Sequence, residues 1–257
     1  MDQSERKILM QIVILVGGSL LIGILLFYRF HFVLDNLLEI RDSDVVGAIG
    51  TIYALISAFI LSNVWSNFKE AEQAVSQENE AIISLWNSAD YFNSLKESNR
   101  MRAVLVSYID SVLRNEFHHA RRFESTLPGK EFLGIQRLID SIELDSHRDE
   151  IVFSSIISTY ENLSIARNKR INRMVDSMPR MLKMFYIIAS IILWGGFAFE
   201  GFKNPILYLA VNFGITTIIV LNYMIIIDFD NPLDGFIRIS FDRYIASRDY
   251  IIHAIHR

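Results

Sequence analysis

The chain has no cysteine among its 257 residues. That absence removes disulfides, thiolate metal sites and cysteine catalysis together, and it agrees with a reducing compartment. Helix breakers are nearly missing from a long interior stretch: between Ser66 and Pro179 stand one proline, Pro128, and two glycines, Gly129 and Gly134. Helices are therefore the default there, with a break at the turn Ser125 to Lys130. There is no Gly-rich phosphate loop, no H-E-x-x-H, no nucleophile elbow, and no paired carboxylate or histidine inside an apolar run. Catalysis has little to stand on, and the expectation is a protein that is not an enzyme. A net charge of −4 likewise argues against a nucleic-acid partner. No internal repeat, low-complexity tract or sustained heptad is present, so a free-standing coiled coil is not expected.

What the chain does have is four apolar runs, two near each end. Residues 8–28 are interrupted only by Gln11, Ser19 and three glycines, and residues 45–65, 181–199 and 205–227 follow, with Lys183 the one internal charge. Each is about twenty residues, enough to cross a hydrocarbon core of roughly 30 Å as a helix. The short charged leader MDQSERK precedes a run too long for a signal-peptide core, so residues 8–28 read as a retained anchor. Residues are 51% hydrophobic and 21% charged, which suits spanning helices joined to a solvated part. The expected fold is an all-α membrane protein with four transmembrane helices, a helical cytoplasmic domain (66–180) inserted between the second and third, and a cytoplasmic C-terminal segment (228–257).

Lys and Arg near the span ends set orientation. Arg6, Lys7, Lys69, the cluster Arg167 to Lys183, and Arg238, Arg243 and Arg248 fall on one side; Arg41 and Lys203 fall on the other, with Arg29 at the edge. Both termini and the middle segment are therefore expected in the cytoplasm of a plasma membrane, the inner membrane of a bacterium. The outer side keeps a short acidic loop (Asp35, Glu39, Asp42, Asp44) and a brief turn at Glu200 to Pro205.

In the middle segment Ala71, Ala74, Glu78, Ile82, Leu85, Ala89 and Phe92 recur at three- and four-residue intervals, so a helix should run straight out of the second span. A return helix is expected from about Asp149 through Ile156, Tyr160 and Leu163, past Pro179 and into the third span. Two shorter helices are expected near Met101 to Phe123 and Glu131 to Leu144.

On a helical wheel the second span has two unlike faces. Gly47, Thr51, Ala54, Leu55, Ala58 and Ser62 lie on one; Ile49, Tyr53, Ile56, Ile60 and Val64 lie on the other. The bulky side suits lipid or a neighbouring helix. The small side suits either close helix packing or the lining of a narrow pore with an apolar constriction.

At the cytoplasmic end of this span Phe59, Trp65, Phe68, Glu70 and Ala71 form F-x5-W-x2-F-x-E-A, similar to the end of the second span in bestrophins. The stretches WSNFKEAEQAVSQENE (65–80), YIDSVLRNEF (108–117) and DFDNPLDGFIRIS (228–240) more closely resemble the bacterial bestrophin-like membrane family, distantly similar to bestrophin channels. The resemblance implies a homo-oligomeric ion channel, pentameric as in bestrophins, with second spans around a pore for inorganic ions and long helices forming a cytoplasmic vestibule. By register from Glu70-Ala71, the constriction aromatic falls on Phe59, with Leu55 and Thr51 one and two turns earlier. These are less bulky than a bestrophin neck. With Ser62 from the small face they make the candidate pore lining, and Trp65, Phe68 and Glu70 the cytoplasmic mouth. The alternative is a non-conducting scaffold or signalling protein whose cytoplasmic helices bind a partner.

Four further groups have two readings each. Asp228, Asp230 and Asp234 with Asn231 are oxygen-rich, as a hard cation such as calcium prefers, yet Asp and Asn around Pro232 also build turns. His118 and His119 point about 100° apart on a helix, which makes a solvated end or subunit contact simpler than a metal site. The basic run Arg167 to Arg173 could meet anionic lipid head groups or permeating anions, or serve orientation alone. Asn212, Thr216, Thr217 and Asn222 read as interhelical hydrogen-bonding groups.

Overall fold

A computed structural model describes residues 43–91, 95–116, 129–142, 147–175, 177–198, 204–233 and 236–253, with a few isolated positions between 10 and 25. The run at 8–28 and the histidine pair at 118–119 thus lie outside the described residues, apart from those isolated positions. Helices follow in the order α1 (Ser43–Asp90), α2 (Leu95–Ser111), α3 (Lys130–Asp140), α4 (His147–Val175), α5 (Arg180–Ala198), α6 (Pro205–Phe229) and α7 (Asp242–His253), and a π-helical turn, Val112–Glu116, extends α2. Among the described residues there is no strand. Two compact units result, residues 1–66 with 178–237 and residues 67–177 with 238–257.

With no breaker from 43 to 90, α1 is a single helix of 48 residues, about 72 Å long and more than twice the depth of a hydrocarbon core. Only its first part is apolar enough to reside there. Among the described residues three helices are long and apolar enough to cross a membrane: the one over Val46–Asp90, and those at Arg180–Ala198 and Ile206–Phe229. Within their apolar windows only 17 to 22% of residues are buried. Bulky side chains left exposed, such as Met181, Ile191, Ile206 and Ile218, are tolerable only where the surroundings are themselves apolar, so this is a membrane protein.

Local signals set the ends of α5 and α6. Pro205 occupies the first turn of α6, where its missing N–H costs no bond. Asn204 caps that turn, its Oδ1 accepting from the N–H groups of Ile206 (2.9 Å) and Leu207 (3.4 Å). Across the α5–α6 connection the Tyr208 hydroxyl donates to the Ala198 carbonyl at 3.2 Å. The return helix does not continue past Pro179 as the sequence pattern implied. α4 stops at Val175, residues 177–179 are non-helical, and α5 begins at Arg180, because proline cannot donate and pushes the residue before it out of the helical region. The Met178 N–H is satisfied instead by Asp230 Oδ1 at 2.5 Å.

The second unit is a helical bundle with a fully formed core. Ala71, Ala74, Ile82, Leu85 and Ala89 of α1 are buried as their spacing predicts, joined by Trp86, by Leu105 and Ile109 of α2, by Phe132 and Ile135 of α3, by Ile156 and Leu163 of α4, and by Tyr244 and Ile251 of α7. The two shorter helices occupy 95–111 and 130–140; residues 117–128 lie outside the description. α7 is fastened to α1 and α2 by polar contacts: Arg248 pairs with Asp110 at 2.6 Å, Arg243 bonds Ser76, and the Tyr250 hydroxyl donates to Asn87 at 3.3 Å.

At the centre of this core is an ion pair. Glu78, wholly buried, receives the Nε of Arg170, whose Nη2 reaches its other oxygen at 3.3 Å, and also the Tyr108 hydroxyl. Tyr108 meets Phe132, Phe132 stacks on Tyr160 at 5.4 Å, and the Arg167 guanidinium lies 5.1 Å above the Phe132 ring. Burial and the Asp140 carboxylate raise the Tyr160 phenol above its usual value, with Arg167 opposing.

Removing one member of a buried pair leaves an uncompensated charge. Glu78→Gln is expected to destabilise the protein by about 3–5 kcal/mol, whereas the apolar double variant Glu78→Leu/Arg170→Met should recover most of that loss. Denaturant unfolding of the three proteins in detergent checks both.

Candidate functional site

The first half of α1 joins the rest of its unit through one narrow stripe. Tyr53, Ser57, Ile60 and Val64 are buried, successive members being three or four residues apart, as one helix face requires. Tyr53 meets α5: its hydroxyl lies 2.6 Å from that of Tyr186, and Ser190 Oγ donates to it at 3.3 Å. The bulky side of the wheel is therefore partly occupied by helices of the same chain.

The small side is not. Gly47, Thr51, Ala54, Leu55, Ala58 and Ser62 are all exposed in the single chain; Leu55 is 67% and Phe59 69% exposed. Thr51 satisfies its hydroxyl on its own helix, donating to the Gly47 carbonyl at 3.0 Å, a common arrangement for threonine inside apolar helices. All four candidate lining residues, Thr51, Leu55, Phe59 and Ser62, are exposed on this part of α1. Small residues make up more of its exposed surface than on the other apolar helices, where most exposed positions are large, among them Met184, Phe185, Ile188 and Ile192 on α5 and Leu207, Phe213 and Leu221 on α6.

The residues assigned to the cytoplasmic mouth have separate surroundings. Trp65 is 44% exposed and stands edge-on to Phe229 of α6, ring centres 4.9 Å apart. Phe68 is buried in the core of the second unit. Glu70 pairs with Arg173 at 2.6 Å.

The carboxylates after α6 are engaged with the chain itself. Asp228 accepts the backbone N–H groups of Phe236 and, at 2.8 Å, Ile237. Asp230 accepts from the Met178 N–H and pairs with Lys183 at 2.5 Å. These bonds make the turn, with α6 ending at Asp230. Asp234 lies outside the described residues, and among the described residues no group of three or more acidic or histidine side chains could hold a metal ion.

Two sequence expectations change here. In the basic run, Arg167 and Arg170 are buried, Arg170 and Arg173 pair with Glu78 and Glu70, and Lys169 donates to Gln77 at 3.2 Å. Its charges serve contacts with α1, which displaces the lipid and permeating-anion readings for the paired members. In α6, Asn212 donates to the Tyr208 carbonyl (3.1 Å) and Thr217 to the Phe213 carbonyl (2.7 Å), bonds within the helix where interhelical ones were expected. The Tyr53–Tyr186–Ser190 cluster was missed altogether. Its one local trace is Tyr53 and Ser57, both bearing hydroxyls, a turn apart on the otherwise aliphatic face.

With this geometry in hand, comparison with known proteins gives a family and a fold. The model of the bestrophin-like domain matches residues 43–244. Crystal structures of three variants of a bacterial bestrophin homolog from Klebsiella pneumoniae share the architecture. One is 13% identical with a TM-score of 0.77, covering 94% of this chain and 98% of that one. The others are 12% identical, with TM-scores of 0.73 (95% and 97% covered) and 0.72 (94% and 98%). At such identities the likeness is one of fold. No curated protein matches the chain.

Asp228→Ala removes the acceptor of two backbone N–H groups, a loss of about 1–3 kcal/mol locally. Amide hydrogen exchange at Phe236 and Ile237 should accelerate about tenfold or more, while amides in the middle of α2 keep their protection.

Proposed function

We propose that this chain, which belongs to the bestrophin-like family, is a homo-oligomeric ion channel whose pore is lined by the first half of α1. The observation that carries the reading is the exposed small face of that helix. Lipid-facing helices expose bulky aliphatic side chains, as α5 and α6 do. A face of glycine, alanine, threonine and serine is used where backbones approach closely or where a narrow passage is lined. Among the described residues no helix of the same chain covers that face, so copies of the chain arranged about an axis, five by analogy with bestrophins, would turn it inward. In that assembly Thr51 and Ser62 supply hydroxyls to the passage and Leu55 and Phe59 its apolar constriction. A ring of phenyl groups offers permeating inorganic ions no replacement for their water and so resists wetting.

The accompanying topology has four spans, residues 8–28 supplying the first, in a bacterial inner membrane with both termini and residues 66–180 in the cytoplasm. The distribution of lysine and arginine around the spans supports it.

Reconstituted in liposomes, the protein should pass ions down a gradient, and Phe59→Ala should raise that flux with the oligomer unchanged. Because Phe59 is 69% exposed in the chain, its truncation should cost far less than the roughly 3–5 kcal/mol of a buried aromatic. Unchanged flux with a dissociating oligomer would instead make Phe59 a subunit contact, and tight vesicles with the parent protein would favour a scaffold. Protease added to right-side-out vesicles should leave Arg100 to Arg148 uncut; cleavage there would invert the topology.

A further inference from the structure

Four hydroxyl-bearing side chains meet between α1 and α5, all buried: Tyr53 and Ser57, one turn apart on α1, and Tyr186 and Ser190, one turn apart on α5. The Tyr53 and Tyr186 oxygens are 2.6 Å apart, and Ser190 donates to the Tyr53 oxygen at 3.3 Å. An alternative acceptor for Ser190 is the Tyr186 carbonyl at 2.9 Å. The Tyr186 ring is near-parallel to that of Tyr223 on α6, at 14° and 6.3 Å between centres, so the cluster is backed by a third helix. Ser57 Oγ is buried and borders the Tyr186 hydroxyl.

A hydroxyl in hydrocarbon has no water to fall back on. An aliphatic contact between two helices in lipid survives a small rotation; a hydroxyl–hydroxyl bond does not, because the turned helix leaves both oxygens unpaired. Tyr53 sits between Thr51 and Leu55, each two residues away and therefore about 160° around the helix axis. Whatever fixes Tyr53 inward fixes Thr51 and Leu55 outward.

We propose that the Tyr53–Tyr186–Ser190 cluster sets the rotation of the first half of α1, and thereby which residues face the pore. Tyr53 and Tyr186 are positioning residues: they line nothing themselves and act through Thr51, Leu55 and Phe59. The proposal rests on the pore reading above. Ser57, one turn further along and beside the Tyr186 hydroxyl, keeps a hydroxyl within reach of Tyr186 once Tyr53 is changed, so loss of the Tyr53 hydroxyl should loosen the rotation of α1 without unfolding the unit.

The chain has no cysteine, so single cysteines can report each position by their rate of modification with a small aqueous thiol reagent in liposomes. In the parent, cysteines replacing Thr51, Leu55 and Phe59 should react and one replacing Ile56 should not. In Tyr53→Phe or Tyr186→Phe backgrounds the rate at position 56 relative to 55 should rise about threefold or more, the scale of one interhelical hydrogen bond in a membrane. Both substitutions break the same bond, so the double variant should do no more than the larger single effect. Ser190→Ala, which keeps both rings, should shift the ratio in the same direction and serves where a tyrosine variant assembles poorly. An unchanged ratio in these backgrounds, even with a lower melting temperature, would make the cluster mere packing and overturn the proposal while leaving the pore in place. Positions 56 and 60 reacting as fast as 55 in the parent would overturn the pore reading itself, and this proposal with it.

Discussion

Bulky apolar side chains are at home in hydrocarbon and costly in water, and α1 displays them on its surface only over its first half. There Ile52 and Trp65 are exposed and a single narrow stripe is buried. Over its second half the buried stripe widens to take in Phe68, Ala71, Ala74, Val75, Ile82, Leu85 and Trp86. One unbroken helix thus meets two solvents. The first unit cannot rely on the hydrophobic effect to bring its helices together, since lipid is as apolar as leucine. Its contacts are made instead by shape and hydrogen bonding: Tyr53 on Tyr186, Trp65 on Phe229, Tyr186 on Tyr223. The second unit holds by burial.

Charges divide along the same line. In the water-facing unit the buried Glu78–Arg170 pair, with Tyr108 as third partner, fixes α4 and α2 against α1 in one register, because any slip would strand a charge in a closed core. Arginines 167, 170 and 173 are the same residues that the positive-inside bias counts for orientation. The contacts to Glu78, Glu70 and the Phe132 ring explain what the individual side chains do in the fold. In the apolar unit the described charges lie at helix ends, where Lys183 and Asp230 pair and Asp228 holds the backbone of the reversing chain.

The small face of α1 gains its meaning from the contrast between these settings. On a water-soluble helix, exposed glycine, alanine, threonine and serine would call for no explanation. Beside helices that expose isoleucine, methionine and phenylalanine they stand out, and in the proposed assembly they face the axis. The hydroxyl cluster on the opposite side of the helix is what keeps that surface turned away from α5.

The sequence by itself determined that apolar helices lie within 45–65, 181–199 and 205–227, the unbroken course of α1, and its two unlike faces. These follow from run length, breakers and a period of 3.6 residues, all read within one segment. The carboxylate in an apolar stripe, Glu78 among Ala71, Ala74 and Ile82, was visible too, but not its partner. Only the tertiary structure decided that Arg170 meets it, that Tyr53 finds Tyr186, and which face of α1 the described helices leave uncovered. Each of these depends on which elements become neighbours, and periodicity along one helix carries no information about residues ninety or more positions away.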